Sequence, residues 1–181
     1  MRKYIPHILI ISFVFLLAPT AHVASYAGEL EDAKEDVRNN PDDAKAHTSL
    51  GYIYAQSGKH QEAIESFKQA VKIDPDNAFA HAGLGVAYGE LDKYEEAIKS
   101  HKQAIRIDPD DAYAHFGLGY AYVISGKYQE AIKSYKQAIR IDPDHVDAHF
   151  KLGNAYNKLG KHEEAIVSYK QAIRKIGRAH V

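Results

Sequence analysis

Four histidines stand at equal intervals, His47, His81, His115 and His149, each 34 residues after the one before. Imidazole ligates metals and moves protons near neutral pH, so a regular set of histidines is the first place to look for chemistry. A shared metal fails on distance. Ligand nitrogens must converge to about 2 Å from zinc, whereas packed helix axes alone lie about 8–10 Å apart. Equivalent side chains in successive copies of a stacked unit are at least that far apart. The four rings are therefore read as inter-helix packing residues, and packing residues of this kind are expected to be buried and neutral.

Other chemistry is equally poorly provided for. There is no Gly-rich phosphate loop, no His-Glu-x-x-His and no Gly-x-Ser-x-Gly. The pairs Glu95-Glu96 and Glu163-Glu164 stand at the start of amphipathic stretches, where carboxylates complement a helix dipole. His60 and His162 take the place that Tyr94 and Tyr128 occupy in the other copies, so a role in turn packing is sufficient for them. With no cysteine in the chain, thiol catalysis and disulfides are excluded. No catalytic residue, metal ligand or cofactor is assigned, and the chain is read as a non-enzyme.

What positions the histidines is a repeat. Leu50-Gly51 returns as Leu84-Gly85, Leu118-Gly119 and Leu152-Gly153, again at 34-residue steps. A tyrosine follows each glycine by three residues (Tyr54, Tyr88, Tyr122, Tyr156), and alanines follow later (Ala63, Ala97, Ala131, Ala165, then Ala70, Ala104, Ala138, Ala172). Asp-Pro-Asp closes the first three copies, at Asp74, Asp108 and Asp142. Within a copy, the second half places Ala131, Ile132, Tyr135, Ala138 and Ile139 on one helical face. Gly58, Gly126 and Gly160 stand between the halves, where a left-handed residue ends a helix, and Asp92 substitutes in the second copy. The proline then stops the second helix and allows the next to start. A single pair of such helices cannot bury its apolar face alone, so the units must stack.

The pattern resembles the tetratricopeptide repeat, over about residues 29 to 174. The resemblance implies an all-α fold, an α-solenoid of four stacked helix–turn–helix units behind an N-terminal capping helix. The units are 44–77, 78–111, 112–145 and a truncated 146–174; residues 28–43 form the cap, a degenerate half repeat with Leu30, Ala33 and Val37 as a thin apolar stripe. The resemblance also implies that the first helices line a concave face, with the second, fifth, ninth, twelfth and thirteenth residues of each unit pointing into it. Phe79, Val86, Tyr113, Phe116, Tyr120, Val123, Ile124, Phe150 and Asn154 fall on those positions and are the candidate partner-binding residues. The family's carboxylate clamp is not matched: its fifth-position lysine is absent, and only Asn154 fits, at the ninth. The partner implied is a protein or peptide with an apolar extended or helical segment.

The ends differ from the repeat. Arg2 and Lys3 precede an apolar run from Ile8 to Ala18, and small residues lead to Ala27. This layout predicts a signal peptide over 1–27, cut after Ala27, and so an exported protein, periplasmic or secreted. The run is well short of the ~20 residues that span a bilayer; uncleaved, it would make the only membrane contact, as an inner-membrane anchor. At the other end, residues 175–181 abandon the repeat, and Ile-Gly-Arg-Ala-His-Val matches the in-frame translation of a common sequencing adapter. They are read as a non-native tail that replaces further repeats or a cap. Cleavage removes two basic residues and no acid, leaving 21 basic against 24 acidic residues, a net charge of −3. That gives no basic face for nucleic acid. The lysines of the second helices, interleaved with glutamates, are read as a solvated face. The function expected is that of a scaffold, an assembly or adaptor factor in the cell envelope. The alternative is a fragment of a larger envelope enzyme or sensor whose repeats recruit substrate. Oligomeric state is not legible.

Overall fold

Each copy of the repeat folds as a pair of helices, in a computed structural model that describes residues 28–179. The expected signal peptide lies outside the described residues. The nine helices among them are α1 (28–39), α2 (Ala44–Gln56), α3 (His60–Ile73), α4 (Ala78–Glu90), α5 (Tyr94–Ile107), α6 (Ala112–Ile124), α7 (Tyr128–Ile141), α8 (Val146–Lys158) and α9 (His162–Ala179). None of the described helices is long and apolar enough to cross a membrane. The helix α9 runs on through residues 175–179, where the repeat pattern has already ended.

Local chemistry sets the boundaries. The Asp111 carboxylate accepts hydrogen bonds from the Tyr113 and Ala114 amides at 2.8 and 3.1 Å, satisfying two of the free donors that begin α6. Asp43 and Asn77 each accept one such bond, from the Lys45 and Ala80 amides, at the starts of α2 and α4. The first helices end in a repeated turn in which the amides of Lys59, Lys93, Lys127 and Lys161 donate to the carbonyls of Tyr54, Tyr88, Tyr122 and Tyr156. The residue before each lysine has positive φ: 74° at Gly58, 72° at Gly126, 71° at Gly160 and 58° at Asp92, the one place among the described residues where a side chain is carried in that conformation.

The repeated histidines clip the proline loops that lead into the first helices. Each Nε2 lies 2.9–3.2 Å from the carbonyl of the proline six residues earlier (His47 to Pro41, His81 to Pro75, His115 to Pro109, His149 to Pro143). A carbonyl only accepts, so the proton sits on Nε2. The expectation of burial fails for three of them: only His149 is buried, and the others are half-exposed at the rim of the turn they clip.

Alanine lets the layers approach. Ala63, Ala97 and Ala131 are fully buried, as are Ala70, Ala104 and Ala138, and a ring from each second helix fills the space beside them. That ring is Phe67 in the first unit, then His101, Tyr135 and Tyr169. It lies so close to the first helix that a Cβ at Gly51, Gly85, Gly119 or Gly153 would come within 2.5–2.8 Å of it. Each second helix also packs on the first helix of the next unit, and α2, α4, α6 and α8 touch in sequence while the second helices do not touch one another. Closer spacing along one side curves the stack, and the first helices therefore form its inner side.

Within the four units the lysines of the second helices are exposed, and three of them also reach an aromatic ring. Lys68, Lys102 and Lys136 place Nζ 5.6–5.9 Å from the ring centres of Tyr88, Tyr122 and Tyr156 on the following first helix, a cation–π contact repeated at each junction. On α9, Ile166 is 52% exposed, whereas its counterparts Ile64, Ile98 and Ile132 are buried beneath the next unit.

Candidate protein-binding groove

The first helices that form the inner side carry more apolar bulk than their packing consumes. Tyr52, Phe79, Val86, Tyr113, Tyr120, Ile124 and Phe150 are all exposed, with Tyr113 at 75% and Phe79 at 60%. They are exposed because the residues opposite them on each helix, such as Ala80 and Leu84 on α4, already fill the core.

Two adjoining cavities show how these side chains come together. One, of about 580 Å³, is bounded by Tyr52, Phe79, Val86 and Tyr113, with His60 and Asp111 at its polar edge. The other, of about 400 Å³, is bounded by Val86, Phe116 and Tyr120, with Lys151 at its end. Val86, Glu90, His101 and Tyr113 belong to both, so the two form one trough along units one to three. Five of the nine candidate residues thus meet in one place: Phe79, Val86, Tyr113, Phe116 and Tyr120.

The other four lie elsewhere. Val123 packs against the core around Tyr135 and Leu152. Ile124 is exposed but borders neither cavity. Phe150 is exposed but borders neither cavity, its ring 5.6 Å from that of Tyr169. The Asn154 side-chain oxygen accepts from the Tyr169 hydroxyl at 2.7 Å, so that acceptor is already engaged. Phe116 has two attachments besides its place in the trough, with ring centres 5.7 Å from Tyr135 and 4.9 Å from His145.

One residue of the trough lies outside the candidate set. His101 is 3% exposed, and its Nδ1 has no hydrogen-bond partner. Burial pushes its pKa down to about 4, against a weaker opposing pull from the Asp111 carboxylate. The available signal was positional: it stands where the other units carry Phe67, Tyr135 and Tyr169.

Stacked helix pairs with an apolar trough on their inner side define a helical-repeat scaffold, a class of protein whose surface serves protein–protein interaction. The sequence pattern described as TPR repeat matches residues 51–92, 90–124 and 119–160, and that described as tetratricopeptide repeat matches 146–175. The chain belongs to the tetratricopeptide repeat family. No curated protein matches it. Among solved structures it is similar to a crystal structure of MamA, with 28% identity over 90% of this chain and 95% of the other and a TM-score of 0.79. A second MamA crystal structure gives 29% identity, 87% and 86% coverage and a TM-score of 0.75. A thermophilic TPR protein of Thermus thermophilus shares the fold at 24% identity, covering 88% of each chain with a TM-score of 0.72. Scaffolds of this family are generally not enzymes.

Proposed function

We propose that this protein is an exported scaffold that holds an apolar, extended or helical segment of a partner protein in the inner trough of units one to three. The observation that carries the reading is the continuity of the trough: five exposed or half-exposed apolar side chains from α4 and α6 line adjoining cavities with few charges at their edge. An exposed apolar strip rimmed by polar residues is a common mark of a protein-binding site, and aromatic residues dominate binding energy in such sites. Its ligand would be held with weak salt dependence, because ion pairing contributes little. The basic start, short apolar run and small residues of 1–27 support action in the cell envelope, in the periplasm or outside the cell. On export, the N-terminus is expected to be Gly28; intact-mass measurement of the secreted or periplasmic form reads this directly, and a mass that retains residues 1–27 overturns it. The open face of α9 around Ile166 is what a further repeat unit would cover.

The test begins with a pull-down on the mature repeats and identification of the bound protein by mass spectrometry. Tyr113→Ala and Tyr120→Ala, made singly, are then each expected to weaken its binding by at least about 1 kcal/mol with helical circular dichroism intact. Unchanged affinity in both variants would place the site on the convex face or beyond residue 174.

A further inference from the structure

We infer that His101 is a specificity-determining residue of the trough, donating a hydrogen bond from Nε2 to an uncharged oxygen, an amide carbonyl or a hydroxyl, on the bound apolar segment. The inference rests on the trough being the binding site. Its first support is an internal comparison. The His101 ring is sandwiched between Gly85 and Gly117, where added Cβ atoms would lie within 2.6 and 2.4 Å of it. Phe67 is held the same way between Gly51 and Gly83, at 2.8 and 2.5 Å. A phenyl ring fits this sandwich, so packing does not call for a nitrogen at position 101.

The nitrogen is nonetheless present and costly, since buried polar groups normally find partners. Nδ1 is sealed from solvent and has none. A buried N–H without an acceptor is rarer than an unpaired acceptor, which puts the proton of the neutral ring on Nε2. The Cε1–Nε2 edge lies against the two glycines; unlike Nδ1, Nε2 is not sealed, and His101 borders both cavities. The other titratable groups bordering the cavities are Glu90, Asp111, Tyr94, Tyr113, His60 and Lys151, together with the Tyr52 and Tyr120 hydroxyls. Two carboxylates bordering the cavities disfavour an anionic ligand, and the apolar walls disfavour a cation stripped of water. A neutral acceptor set in an apolar frame is the chemistry that remains.

The test uses a library of random 12-residue peptides displayed on phage and selected on the purified chain. Peptides released by Tyr120→Ala are the trough binders. Among these, the selected sequences are expected to share one Asn, Gln, Ser or Thr in an otherwise apolar frame. A synthetic copy is expected to lose at least tenfold in affinity on His101→Phe, while its analogue with Leu at that position binds both proteins equally. In the wild-type protein, the nitrogen resonances of the His101 ring are expected to move when the first peptide binds and to stay in place with the Leu analogue. If trough binders have equal affinity for wild type and His101→Phe, and the ring resonances do not move, the role of His101 is overturned while the trough stands. If no selected peptide is sensitive to Tyr120→Ala, the trough reading fails and this inference fails with it.

Discussion

Replacing Leu118 by alanine is expected to lower the stability of the stack by about 2–5 kcal/mol, as for buried leucines elsewhere. Leu118 is buried with Ala97, Ile98 and Ala121, against the half-buried Tyr88 and Tyr122. Those neighbours come from both helices of unit two and from unit three itself, so the cavity left by truncation opens at a junction between units. Alanines cannot move in to fill it, because they already lie where the helices approach most closely. In a linear stack each unit is held by its neighbours, so weakening this central junction should also make unfolding less cooperative. The matched control is Lys133→Ala, on the outer face of α7, which is expected to stay within about 0.5 kcal/mol. Lys136 is the wrong control despite its exposure. Its Nζ lies 5.6 Å from the Tyr156 ring centre, and removing it should cost roughly 0.5–1 kcal/mol. Urea midpoints decide the matter: coincident midpoints for Leu118→Ala and Lys133→Ala would mean that the inner and outer faces have been exchanged.

Acid is expected to destabilise this protein through one side chain above the others. His101 titrates at about 4 in the folded protein because burial penalises the imidazolium, whereas in the unfolded chain it titrates near about 6.5. Between those values the unfolded state binds the extra proton, so stability rises with pH across the interval. The stabilisation is complete above about pH 6.5 and is lost as pH falls from there towards 4. Over the whole interval the loss is on the order of 3 kcal/mol, from about 1.4 kcal/mol per pH unit. The His101→Phe variant has no proton to take up and no orphaned nitrogen to bury. It is expected to be more stable than wild type, with the gap widening as pH falls from 7.5 to 5. The rest of the chain is common to both proteins, so the difference between them isolates position 101. Parallel loss of stability in the two would mean that His101 is not held neutral.

Much of this architecture was written in the chain. The 34-residue step set the number of units, and the apolar spacing within each step set two helices and the face each one buries. Gly58, Gly126 and Gly160 marked the breaks between helices, and Asp92 takes the same left-handed conformation they do. These features are legible because they depend on residues a few positions apart, joined by the backbone's own geometry. Contacts between units were less legible. Periodicity shows that Phe79, Tyr113 and Tyr120 share a side of the stack, but not that they border one trough while Ile124 and Phe150 stand apart from it. The same holds for Lys102 over Tyr122 and for Asn154 bonded to Tyr169. His101 is the clearest case. In sequence it is one more histidine on a charged helix. Only the stacking of unit three on unit two places Gly117 opposite Gly85 and closes both over its ring. That closure depends on the rotation from one unit to the next, which is set by the sum of many side-chain volumes at the junction and by no single residue in it.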